Sequence, residues 1–194
     1  MTVLAVKGLT YSFGKQTVLD NISFTLEKGD IAGLIGNNGA GKTTLMKLVS
    51  GILTGSKDII DLKTKSVGAL IEAPALYPNM TVEANLKFYC KLYGKDYALI
   101  DRYKDELEVA AYLKRKASKL SLGMKQRVGL FIALIASDEL ILLDEPTNGL
   151  DPNGINRVIS SAPSLVSRAS ISYSSMWMEL RVSSCTRRWE MITA

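Results

Sequence analysis

Histidine does not occur among the 194 residues, and cysteine occurs only twice, as Cys90 and Cys185. The two cysteines have no metal-ligand spacing, and thiols in a reducing compartment stay reduced, so neither a zinc site nor a disulfide is expected. Long hydrophobic runs are also missing. The longest, Val128 to Ala136, falls far short of the roughly 20 apolar residues a spanning helix needs, so the chain is not expected to cross a bilayer itself. The first residues show no charged segment leading into an apolar one with a small-residue cleavage site, which argues against a secretory leader. A composition of 47% apolar and 22% charged residues excludes a disordered or fibrous chain, and no internal repeat is visible. The formal charge of +5 comes from scattered basic residues without an aromatic-basic module, so nucleic acid is not an expected partner.

What is present reads as one α/β domain. Val3 to Val6, Val18 to Leu26 and Ile31 to Ile35 are predicted strands, separated by the turn signals Ser12-Phe13-Gly14 and Lys28-Gly29-Asp30. Lys42 to Ser50 is predicted helical, with Leu45, Leu48 and Val49 on one face and Gly51 as its stop. Val67 to Ile71 suits a buried strand. Val82 to Tyr93, Tyr97 to Leu107 and Glu108 to Lys116 read as a helical insert, and a helix from Leu122 to Ser137 takes Ser121 as its N-cap. Glu139 to Leu143 is then a fully apolar strand that ends in Asp144-Glu145-Pro146. Strands alternating with helices imply α/β architecture.

The chemistry is carried first by Gly36-Asn37-Asn38-Gly39-Ala40-Gly41-Lys42-Thr43, a P-loop pattern lying directly between a predicted strand and a predicted helix. Glycines let the loop wrap until backbone N–H groups face phosphate oxygens, and the following helix adds the positive end of its dipole. Lys42 is expected to reach the β- and γ-phosphates of ATP, Thr43 to offer its hydroxyl to Mg²⁺, and Thr44 to support the α-phosphate side. Asp144 stands at the C-terminal end of an apolar strand, where ligands gather in open α/β sheets, and is the expected Mg²⁺-side carboxylate. Glu145 follows with a different direction along the strand, which makes it the expected general base for the attacking water.

Those features fit many P-loop NTPases, but Leu120-Ser121-Leu122-Gly123-Met124-Lys125-Gln126-Arg127 narrows them. This octet resembles the signature of ABC-type ATPases, and Asp144-Glu145-Pro146-Thr147 with Gly149-Leu150-Asp151-Pro152 resembles that family's Walker B motif and D-loop. The resemblance covers about residues 1 to 154. It implies a mixed sheet core with a β-rich opening subdomain and a helical insert at about 75–125. It also implies that Ser121 and Gly123 face ATP held by a second such domain, in a homodimer. Phe13 stands where the family stacks an aromatic on adenine, with Tyr11 the less favoured choice. Glu72, in Ile71-Glu72-Ala73-Pro74, replaces the glutamine that links Mg²⁺ and water to the membrane partner. That substitution and the signature variant resemble the ATPases of lantibiotic and bacitracin export and self-protection. Membrane-spanning permease subunits are therefore implied as partners, with the chain peripheral on the cytoplasmic face of the membrane.

Three departures stand against the resemblance. The family continues past the D-loop with a histidine at the γ-phosphate, and this chain has no histidine. Gly51 to Lys65 leaves little room for the antiparallel arm beside it. Beyond Gly154 the character changes: no lysine occurs after Lys125, while five of the eight arginines, both tryptophans and ten serines fall in the last 40 residues. The C-terminal strands are accordingly expected to be missing or altered, with residues 155–194 a diverged or frameshifted tail. Two functions remain open on these grounds: a transport-coupled ATPase subunit, or a binding-only remnant with little turnover. A soluble ABC ATPase of translation or repair is disfavoured, because no second cassette or coiled-coil insertion is visible.

Overall fold

The computed structural model describes residues 1–55, 59–144, 169–173 and 189–193. The chain opens on a hairpin of two twelve-residue strands, β1 (Thr2–Phe13) against β2 (Gln16–Glu27), closed by a two-residue turn in which Gly14 has φ 59°. Both strands run longer than their apolar alternation suggests, because register shifts break the period between Thr2 and Ser12. A third strand, β4 (Ile60–Leu62), pairs antiparallel with β1 and completes a small sheet in the order β2-β1-β4. The antiparallel arm for which the sequence leaves little room is thus present as three residues.

The main sheet has the order β5-β6-β7-β3-β8, with every pairing parallel. It comprises β3 (Ile31–Ile35), β5 (Val67–Leu70), β6 (Leu140–Asp144), β7 (Ala169–Tyr173) and β8 (Trp189–Thr193). Strand backbone therefore occupies both places beside β3 in the tail, where the sequence shows neither alternation nor an apolar run. Pairing holds them: β7 lies between β3 and β6 and satisfies its backbone groups on both sides whatever its local pattern, while β8 pairs with β3 alone at the sheet's edge.

Helix α1 (Lys42–Val49) follows β3, and α2 (Val82–Leu92), α3 (Ala98–Tyr103) and α4 (Leu122–Ala136) come later. The insert is less helical than its sequence predicts. After α3 the chain turns, and Val109 N–H reaches Lys104 O at 2.8 Å while Glu108 N–H reaches Asp105 O at 3.0 Å. Glu108 has φ 54°, so this is a Schellman-type stop with glutamate at the position glycine usually takes. It ends any helix there, and the predicted helix from Glu108 to Lys116 reduces to one 3₁₀ turn, Ala110–Tyr112.

Two apolar clusters lie on opposite sides of the main sheet. One gathers α2, α3 and α4 around Phe131, Leu86 and Cys90, and the other gathers β1, β2, β3 and α1 around Leu4, Leu26 and Leu45. Gly68 of β5 lets the sheet approach α4 closely, because a Cβ there would collide with the carbonyl oxygen of Ala133. Among the described residues, no helix is long and apolar enough to cross a membrane.

Candidate functional site

The loop from Gly36 to Gly41 joins the end of β3 to the start of α1. Ala40 N–H closes a turn on Asn37 O at 3.1 Å, and Gly41 occupies the N-cap of α1 with φ 85° and ψ 6°. No side chain caps this helix end, so its first N–H groups stay directed at the space the loop encloses. Gly41 also sits so close to the hairpin that a Cβ would lie 2.6 Å from Leu19 Cδ2 and 2.8 Å from Val18 O. Both its conformation and its surroundings require glycine.

A cavity of about 290 Å³ opens here, lined by Val18, Asn38, Gly39, Gly41, Lys42, Thr43 and Thr44. The P-loop residues named from the sequence are brought together in this wall or in the turn beneath it. Val18, which sequence reasoning passed over as an ordinary strand residue, joins them because β2 runs under Gly41.

Lys42 is buried at 6% exposure, and its ammonium donates to Gly36 O and Asn37 O, both at 2.6 Å. A buried cation needs such partners, and carbonyls of the loop itself supply them. Thr43 Oγ1 donates to Asp144 Oδ2 at 2.8 Å, linking residues 101 positions apart in the chain. Asp144 is buried at 7% exposure at the carboxyl end of β6, where parallel strands leave a ligand crevice.

The other predicted residues lie outside the cavity's lining. Phe13 is exposed at the end of β1, edge-on to Tyr11 with ring centres 5.1 Å apart. Ser121 caps α4, its Oγ accepting from Met124 N–H at 3.3 Å, and Gly123 lies in the first turn of that helix. Glu72 has φ 61° and its carboxylate meets Lys47 Nζ at 2.6 Å. Lys47 was not singled out in the sequence, although its position four residues after Thr43 on a predicted helix was the available signal. Glu145, the expected general base, and the D-loop residues after it lie outside the described residues.

The strand-loop-helix around Lys42 and the carboxylate at the tip of β6 define a P-loop nucleotide-binding domain of α/β type. Residues 19–148 match the ABC transporter family, and the chain belongs to it. It is 37% identical over 164 residues to the lantibiotic transport ATP-binding protein SrtF of Streptococcus pyogenes, covering 80% of this chain and 72% of that protein. It is 39% identical over 172 residues to the bacitracin transport ATP-binding protein BcrA of Enterococcus faecalis, covering 81% of this chain and 55% of that one. The ATP-binding subunit of an ABC transporter has a solved structure that superposes with a TM-score of 0.78 at 27% identity, covering 91% of this chain and 81% of that chain. A nucleotide-free ATP-binding cassette superposes with a TM-score of 0.73 at 22% identity, covering 92% and 83%, and shares the fold.

Proposed function

We propose that this chain binds and hydrolyses ATP to power export of a peptide antibiotic or another hydrophobic substrate through separate membrane subunits. The observation that carries the reading is the Thr43–Asp144 hydrogen bond beside the buried ammonium of Lys42, at the mouth of a glycine loop that ends in an uncapped helix. Similarity to lantibiotic and bacitracin transport proteins supports the class of substrate.

The residues present fit Mg²⁺-bound ATP. A threonine hydroxyl and a carboxylate are the hard oxygen donors that Mg²⁺ prefers, and they already adjoin each other. When bound, Mg-ATP supplies the phosphoanhydride whose cleavage drives transport and the metal charge that offsets its oxygens. Gly36, Asn37, Asn38, Gly39, Ala40 and Gly41 present backbone N–H groups to the phosphates, and Lys42 exchanges loop carbonyls for β- and γ-phosphate oxygens. Thr43 and Asp144 hold the metal side, and Thr44 supports the α-phosphate. Glu145 takes the proton from water, and Phe13 covers the adenine. Ser121 and Gly123, at the exposed start of α4, face ATP on a second copy of the chain. The homodimer docks against permease subunits on the cytoplasmic face of the membrane.

Equilibrium dialysis tests this reading. Folded chain takes up ATP when Mg²⁺ is present, Lys42→Ala abolishes uptake, and Glu145→Gln spares it, because only the lysine touches phosphate. Equal loss in both variants removes the role given to Glu145, and no uptake by the unmodified chain removes the whole reading. A second reading, binding with little turnover, is favoured by the lack of histidine in the sequence, since the family places one at the γ-phosphate. Rapid hydrolysis that depends on dimer formation excludes it.

A further inference from the structure

We propose that Lys47 is a positioning residue for the acidic loop after β5: it holds the Glu72 carboxylate away from the Thr43–Asp144 pair and so sets how tightly a divalent cation is held there. The proposal deepens the function argued above and rests on it.

Thr43 and Lys47 stand four residues apart in α1 and therefore share one face of the helix. Along that face lie two polar pairs, Thr43 with Asp144 at 2.8 Å and, one turn on, Lys47 with Glu72 at 2.6 Å. Strand pairing brings both acids to the same edge of the sheet. Leu70 pairs with Leu143, so the chain leaves β5 toward Glu72 beside the end of β6 that carries Asp144. A cation held by Thr43 and Asp144 would attract any free carboxylate at that edge. The Lys47 ammonium competes for this one.

Two further features agree. Glu72 has φ 61°, a sparsely occupied conformation for a residue other than glycine, and it is from this backbone that its carboxylate meets Lys47. The pair is also partly exposed, 28% at Lys47 and 64% at Glu72, so solvent weakens it enough for a bound cation to open it.

Mn²⁺ is the probe, its free signal followed by electron paramagnetic resonance with the chain saturated by a non-hydrolysable ATP analogue. Lys47→Gln is expected to tighten Mn²⁺ about threefold, the scale of one exposed ion pair. Lys47→Arg keeps the original Kd. Lys47→Gln placed in the Glu72→Gln background leaves the Kd at its Glu72→Gln value. An unchanged Kd in Lys47→Gln overturns the proposal, as does a tightening that persists without the Glu72 carboxylate. Thermal melts, without nucleotide, of the unmodified chain, Lys47→Gln, Glu72→Gln and the double variant form a double-mutant cycle. Non-additive midpoints support the clamp, and additive ones overturn it. If the unmodified chain binds no analogue, the functional reading falls and takes the cation effect with it, while a non-additive cycle still assigns Lys47 to Glu72.

Discussion

At the scale of single residues, two glycines of the phosphate loop separate the cost of backbone conformation from the cost of crowding. Gly39 and Gly41 share φ 85°, but a Cβ at Gly39 meets nothing within 4 Å whereas one at Gly41 meets Leu19 and the Val18 carbonyl. Gly39→Ala is expected to lose about 1–2 kcal/mol from the left-handed conformation alone. Gly41→Ala loses more and also abolishes ATP uptake, because the loop must move off the hairpin. Urea denaturation combined with dialysis checks the order, and equal stability losses would contradict the packing of Gly41 on β2. Cys90 gives a second test at this scale. It is fully buried on the inner face of α2, and burial raises its thiol pKa, so little thiolate forms near neutral pH. In a Cys185→Ser background, Cys90 is expected to resist a thiol reagent at pH 8 until denaturant is added. Fast labelling of the folded chain would show that the insert does not close over it.

At the scale of elements, the N-caps differ in a way that divides stability from function. Thr81 caps α2 with its Oγ1 3.1 Å from Ala84 N–H, while the Ser121 cap on α4 is longer, at 3.3 Å. Thr81→Ala is expected to cost about 1 kcal/mol, or a few degrees in melting midpoint, and Ser121→Ala less. Calorimetry of the two variants decides, and the reverse order would make Ser121 chiefly structural. The Ser121 cap, α1, β3, β5 and β6 are all legible in the sequence, because each combines an apolar pattern with a local start or stop signal. The failures share the opposite property. β4 has only three residues, too few for alternation, and exists because β1 offers an edge. The end of the segment after α3 rests on Glu108 in a glycine-like conformation, which no propensity announces. β7 and β8 follow from pairing with β3 across long stretches of chain. The site divides likewise: the P-loop is readable as a local pattern, whereas the Lys47–Glu72 pair joins two segments that meet only in the folded sheet.

At the scale of the whole molecule, β6 is the wall between two interiors, and its alternation shows how the nucleotide side and the insert are joined. Leu140 and Leu142 pack among the residues around Leu34 and Leu45, while Ile141 and Leu143 pack among those around Phe131 and Leu86. Every side chain of this strand is therefore buried, which explains its unbroken apolar sequence, and Asp144 at its tip inherits the rigidity of both cores. Neither core keeps its wall if the other is lost, so the described parts are expected to unfold in one transition. Ile141→Ala and Leu142→Ala, which remove methyl groups from opposite faces, should each cost about 2–5 kcal/mol and lower the same midpoint. Hydrogen exchange in rising urea, read by mass spectrometry on peptides from α1 and from α2, is the measurement. Coincident midpoints in both variants fit a shared wall. Loss of protection in α2 alone after Ile141→Ala, with α1 still protected, would mean that the helical insert folds independently of the site it adjoins.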